Sequence, residues 1–358
     1  MQPVAILGAA QTTHRARRDD ASYAELAFEV VQELLQTTGW THDRIDTVVT
    51  ASSDFWDGRT ISDIAVQDAV GAAKKSASKV SMDGAFALVY AAARILSGHH
   101  RTCLVVAHGK ASEGVPREIA RAAFDPLYQR PLGIDDWAAL GLQARRFLER
   151  RGLGEGDLAA AAARSSELAA ANPRAHRREA RSAADVARAP LAADPLREPE
   201  IAPDSDGACA VLLGDAACAG GGEAVWLTGF GFATDVHGLG DRDLGEPGVL
   251  TRVAGEAYRR AGLRDPGAEL DVVEVHDASS AQTLLWREGL GLPEEGGPSI
   301  NPSGGAMGAQ PGFATGLVRV AEVYDRLARG EGRRGLAHGM TGFVGQAHCA
   351  WVLERGAR

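Results

Sequence analysis

Runs of apolar residues separated by amphipathic stretches set the first expectations for this chain. Short apolar runs at 4–8, 47–52, 102–107 and 208–213 predict strands in the first part of the sequence. Tyr23–Thr38 carries its apolar residues at helical spacing and predicts a surface helix. The stretch 84–97 is apolar almost all round, the pattern of a helix buried on every side. Between about 109 and 203 the pattern turns polar, Arg-rich and Ala-rich, with helical periodicity over 137–151 and 155–172. This region is expected to be an insertion in the first half. Gly220-Gly-Gly-Glu223 marks a boundary, and the alternation then restarts. Strands are predicted at 224–229, 270–276, 335–338 and 347–354, and helices at 247–261, 280–290 and 312–329. The fold class is therefore α/β, expected as two similar halves, 1–218 and 219–358.

Composition narrows the function classes. With 358 residues and 45% hydrophobic content, the chain is large enough for two globular units. A formal charge of −9, with one short basic run at Arg174-Ala-His-Arg-Arg178, gives no electrostatic case for nucleic-acid binding. The four cysteines are widely spaced and form no Cys-x-x-Cys pair, so neither a metal site nor a redox dithiol is expected. The N-terminus lacks the basic and long apolar regions of a signal peptide, and no apolar run reaches membrane-spanning length. The expectation is a soluble, cytoplasmic protein. The glycines of Ser303-Gly-Gly-Ala-Met-Gly308 fit neither dinucleotide-binding spacing nor a P-loop.

Several segments, in order, resemble thiolases of the sterol-carrier-protein type. They are the opening Val4-Ala-Ile-Leu-Gly-Ala-Ala-Gln-Thr, the helical 137–164 region with Asn172-Pro-Arg-Ala and Asp194-Pro-Leu-Arg, Ser205-Asp-Gly-Ala-Cys-Ala-Val, Glu274-Val-His-Asp-Ala-Ser, Asn301-Pro-Ser-Gly-Gly-Ala and Gln310-Pro-Gly-Phe-Ala-Thr-Gly. The resemblance implies a layered α-β-α-β-α fold with a loop-domain insertion. It also implies a CoA- or carrier-bound acyl substrate, no separate cofactor, and a homodimer. The edge for that dimer is expected at 102–107. A small zinc-ribbon/OB-fold protein or a thiolase paralogue is the partner class that the resemblance suggests.

Within that resemblance the chemistry departs from the family. Lys79-Val-Ser-Met-Asp-Gly-Ala-Phe places Ser81 where a thiolase keeps its nucleophilic cysteine at a helix N-terminus. A serine there needs a neighbouring base to act as nucleophile. It is equally an N-cap, with Asp83 complementing the helix dipole. Gln310 stands where the Gly-His-Pro histidine is expected, and it can donate a hydrogen bond but cannot take up a proton. The loop Gly342-Phe-Val-Gly-Gln346 carries no thiol, but backbone N–H groups at Val344 and Gly345, with Ser81, are candidates for an oxyanion hole. His276 and Asp277 close the 270–276 strand, and His276 is the candidate acid/base. His338 is a candidate to approach the cavity, whereas His348 is expected to be structural. Met82, Ser303, Gly304, Gly305, Phe313 and Phe343 are the candidate substrate contacts.

With the acyl-cysteine relay missing, two functions from different classes follow. One is an enzyme that makes or breaks a C–C bond by aldol chemistry, with Ser81 acyl transfer as a variant. The other is a catalytically silent subunit that supports a partner.

Overall fold

A computed structural model describes residues 3–357. Ten strands form one sheet: β1 (Val4–Gln11), β2 (Thr47–Ala51), β3 (Ser76–Val80), β4 (Thr102–Lys110), β5 (Asp206–Asp215), β6 (Glu223–Thr234), β7 (Val272–Glu274), β8 (Ser299–Ile300), β9 (Arg334–Thr341) and β10 (Ala347–Ala357). Their order across the sheet is β8-β7-β9-β10-β6-β1-β5-β4-β2-β3. Each half thus repeats one order, third, second, fourth, fifth, first, counted within the half. The halves meet edge to edge only through Val4–Ile6 against Val225–Leu227.

The helices explain the layers. α1 (Tyr23–Thr38) starts at a Ser22 capping box and ends on Gly39 in the left-handed region. Its buried face, Leu26, Ala27, Val30, Val31 and Leu34, covers the outer side of the first half. α2 (Gly84–Leu96) and, after the second half's helices α6 (Gly248–Ala261) and α7 (Ser280–Gly289), α8 (Thr315–Ala328) lie between the two halves. Both are buried on most of their circumference, which is why 84–97 reads as apolar all round. The α6 and α7 helices cover the outer side of the second half. Three apolar cores result, one central and two outer, giving the expected α-β-α-β-α layering.

Between Lys110 and Asp206 no strand joins the main sheet. That stretch holds α3 (Pro116–Ala123), α4 (Asp136–Arg151) and α5 (Glu155–Ala171), packed against the second half.

The edge expected at 102–107 is not an edge. β4 pairs with β2 on one side and β5 on the other. The free edge of the first half is β3, whose sequence Ser-Ala-Ser-Lys-Val drew no strand prediction. The predicted helix 312–329 is also split, a 3-10 turn over Gly312–Ala314 preceding α8.

Candidate active site

A cavity of about 760 Å³ opens where the starts of α2 and α8 meet the end of β7. His276 and Asp83 stand in its wall. Asp83, not Ser81, caps α2, and its carboxylate serves both central helices. Oδ1 accepts from the Ala85 N–H of α2 at 2.8 Å, and Oδ2 accepts from the Gly316 N–H of α8 at 2.8 Å. One side chain therefore complements two helix N-termini. It fits because Gly316 and Gly339 leave it room: a Cβ on Gly316 would overlap Asp83 Oδ1, and one on Gly339 would lie 2.8 Å from it.

Asp83 Oδ2 is 3.5 Å from His276 Nδ1. The Met340 backbone N–H lies 3.4 Å from the same nitrogen. Both side chains are buried, His276 at 7% and Asp83 at 2% exposure. An imidazole facing a cavity can accept or give a proton near neutral pH.

The expected site residues separate into two groups. His276, Gln310, Phe313, Phe343 and Val344 line the cavity. Ser81 is exposed, forms no part of the wall and does not cap α2, which corrects its cap reading. The chain bends through Ser81 and Met82 before the helix, and Met82 packs on the central core. Gln310 is held by its backbone to Ser205, and its side-chain Oε1 is buried without a partner among the described residues.

Asp277 points away from the cavity. It accepts from Thr283 Oγ1 at 2.7 Å, Asn301 Nδ2 at 2.9 Å and the Ala306 N–H at 3.0 Å. Burial pushes its carboxyl up to about 7. Ser303 belongs to a buried cluster with Glu274 and Arg319: Ser303 Oγ donates to Glu274 at 2.7 Å, and Arg319 donates to Glu274 at 2.8 Å. Gly304 packs on Ala169 of α5, and Gly305 packs against Asn301 and Asp277. The candidate substrate contacts Met82, Ser303, Gly304 and Gly305 are therefore packing positions outside the cavity wall. His338 is fully buried, its Nε2 2.9 Å from His348 Nδ1, with Trp286 against both rings. Burial holds both imidazoles well below their ordinary range.

The 342–346 turn is tied down from outside. Arg242 donates to the carbonyls of Phe343 at 2.6 Å and Gly345 at 3.3 Å, with Val344 at 3.5 Å. Gln143 of α4 donates to the Val344 carbonyl at 3.3 Å. Gln282 in turn donates to Gln143 and accepts from the Ala278 N–H, linking the turn to the His276 segment. Gly345 itself lies behind the wall, against Trp286 and His348.

Sequence reasoning missed several wall residues. Trp56 and Trp137 add aromatic surface. Asp57 and Asp136 line the cavity, and burial raises each to about 6; neighbouring Asp204 adds to the effect at Asp136. The Asp135-Asp136 pair reads as helix capping in sequence, and Asp135 does cap α4, which leaves Asp136 to the cavity. The wall cations Arg59 and Lys110 are paired, Arg59 with Glu113 of the same wall and Lys110 with Asp206. Among the described residues no group of three or more His, Cys, Asp or Glu could hold a metal ion. No helix among them is long and apolar enough to cross a membrane.

No family model matches the chain. Over 96% of its length it is 28% identical to an acetyl-CoA acetyltransferase of Methanothermobacter thermautotrophicus, 97% of which is covered. A 97-residue segment is 37% identical to sterol carrier protein 2 of Oryctolagus cuniculus, covering 23% of this chain and 17% of that protein. The fold matches the solved Ltp2-ChsH2(DUF35) aldolase with a TM-score of 0.82, covering 98% of this chain and 97% of that one at 19% identity. In sequence and in fold the chain is similar to proteins of the thiolase superfamily. It shares the layered fold of that solved structure, and its cavity lies at the start of the central helices. That cavity presents Asp83, His276 and Gln310.

Proposed function

We propose that this chain acts on an acyl thioester and makes or breaks a C–C bond by aldol chemistry, without an acyl-enzyme. The observation that carries the reading is the Asp83–His276 pair in the cavity wall. Aldol cleavage of a 3-hydroxyacyl thioester needs a base and a place for enolate charge, but no nucleophile. His276 takes the 3-hydroxyl proton and the C2–C3 bond breaks. The electron pair moves onto the thioester carbonyl as an enolate, and an aldehyde or ketone leaves. His276 then returns the proton to C2. Asp83 stands beside the ring, 3.5 Å from its Nδ1, while Phe313, Phe343 and Trp137 supply an apolar wall for the acyl chain. The likeness to an acetyl-CoA acetyltransferase supports the substrate class.

The test is incubation of the purified chain with a panel of 3-hydroxyacyl-CoA thioesters, following the carbonyl product and the shortened thioester. His276→Ala is expected to lower turnover by about 10²–10⁴-fold. Ser81→Ala is expected to leave it unchanged. A Ser81-linked acyl adduct in the intact mass, or full activity in His276→Ala, would overturn the reading.

The exposed position of Ser81 and the unpartnered Gln310 also favour a second reading, a silent subunit in a complex with a small zinc-ribbon/OB-fold protein or a thiolase paralogue. A chain inactive alone, and still indifferent to His276→Ala once a partner restores activity, would establish it. In either reading we place the homodimer contact on β3, where Phe55, Ile61, Ile64 and Tyr90 leave apolar surface exposed.

A further inference from the structure

The acids of the cavity wall are unequally satisfied. Asp83 accepts from two backbone N–H groups, and Glu113 is paired with Arg59. Asp136 and Asp204 line the same cavity without comparable partners. The donors that reach Asp136 are its own N–H and that of Trp137, at the start of α4. Its Oδ1 is buried with no hydrogen bond among the described residues. Asp204 is exposed, and its carboxylate makes no hydrogen bond among them. Arg177 acts on Asp204 only by its charge, since its guanidinium donates to the carbonyls of Ile201 at 2.7 Å and Pro199 at 3.5 Å. The backbone of Asp204 is bridged to Gln310, whose Oε1 is also buried without a donor. Buried acceptors are ordinarily satisfied, so such a group in a cavity wall calls for a donor from what enters the cavity.

We infer that Asp136 and Asp204 are specificity-determining residues that select an acyl group carrying a hydrogen-bond donor, a hydroxyl or an ammonium, against one carrying a carboxylate. The inference deepens the acyl-thioester reading and rests on it for the identity of the ligand. An ionised carboxyl only accepts, so the pair recognises donors. Burial raises both carboxyls, and Asp204 adds to the rise at Asp136. A donor brought by the ligand favours their charged forms and relieves that rise. A carboxylate on the ligand would instead meet like charge, and the wall's Arg59 and Lys110 are already paired. Trp137, the residue after Asp136, adds apolar surface for the carbons that carry the donor.

The probes are 3-hydroxyacyl-CoA thioesters over a range of chain lengths, each made with a methyl, hydroxyl, ammonium or carboxylate tip. Binding to the full chain is followed by tryptophan fluorescence, since Trp56 and Trp137 line the cavity. At its best chain length, wild type is expected to bind a hydroxyl- or ammonium-tipped thioester about 10- to 100-fold more tightly than the methyl-tipped one, and the carboxylate-tipped one most weakly. A preference for ammonium over hydroxyl assigns a cationic substituent, and the reverse order assigns a neutral one. Asp136→Leu should bring the donor-to-methyl ratio to within about threefold of unity. Asp204→Asn, which keeps the side chain's shape and removes its charge, is the independent second variant and should narrow the gap between ammonium and carboxylate tips. A wild type that prefers methyl or carboxylate tips at every length, or a donor preference that survives both variants, would overturn the inference and leave the acyl-thioester reading standing. Failure of wild type to bind any thioester would sink the acyl-thioester reading instead. The wall is then decided with octylammonium, octanol and octanoate. Binding of either donor in preference to octanoate, lost in Asp136→Leu, supports it, and the absence of such a preference overturns it.

Discussion

Replacing Asp277 by Asn should reverse the usual consequence of removing a buried charge. The wild-type carboxyl is fully buried and accepts three hydrogen bonds, yet burial outweighs them and raises it from 3.8 to about 7. A carboxyl with a raised value holds its proton in the folded state to higher pH than in the unfolded chain. Its contribution to stability is therefore present below about pH 4 and is lost as pH rises toward 7. Three units at 1.36 kcal/mol each make the full span about 4 kcal/mol, of which about 3 kcal/mol falls between pH 5 and pH 8. Asn is a neutral isostere and carries no such dependence. It introduces a constant offset, since its amide NH₂ faces one of three donors at a cost of about 1–3 kcal/mol. Unfolding free energies from urea titrations at pH 5 and pH 8 should show the variant gaining about 3 kcal/mol on wild type across that interval. Parallel changes would refute the reasoning. A variant that loses ground at pH 8 would show that the three donors hold Asp277 ionised.

Other perturbations test separate parts of the structure. Arg319→Met strands Glu274 as a buried unpaired carboxylate and should cost about 3–5 kcal/mol in urea unfolding, partly recovered by adding Glu274→Gln. Gly304→Ala places a Cβ 2.5 Å from Ala169 Cβ at a residue with φ of 91°, so thermal unfolding should show a loss of about 2–3 kcal/mol. Ile64→Glu, at a side chain 64% exposed near the β3 edge, should convert a dimer to monomers in light scattering without lowering monomer stability.

Much of the fold was legible because layering writes itself into hydrophobicity. α2 is apolar all round since it has a half on each side, and α1 is one-faced since it has solvent on the other. The misreading of β4 as an edge has the same physics. Its run Thr-Cys-Leu-Val-Val-Ala is buried throughout, the mark of a central strand, while the true edge β3 is short and polar. In the site, His276 and Gln310 were found because the resemblance fixed their places. Asp83 was seen only as a companion to Ser81, because Ser-Met-Asp-Gly offers two capping residues and sequence does not say where the bend ends. Arg242 and Gln143 left no signal, since their partners are carbonyls about 100 and 200 residues away.

The double role of Asp83 bears on how such a site can change over evolutionary time. Its two oxygens tie the start of a helix from one half to the start of its counterpart in the other. With Gly316 and Gly339 shaped around that side chain, most substitutions there would break the junction between the two helices. Ser81 carries no such obligation. Drift is therefore expected to run freely at Ser81 and to stall two residues later, at Asp83.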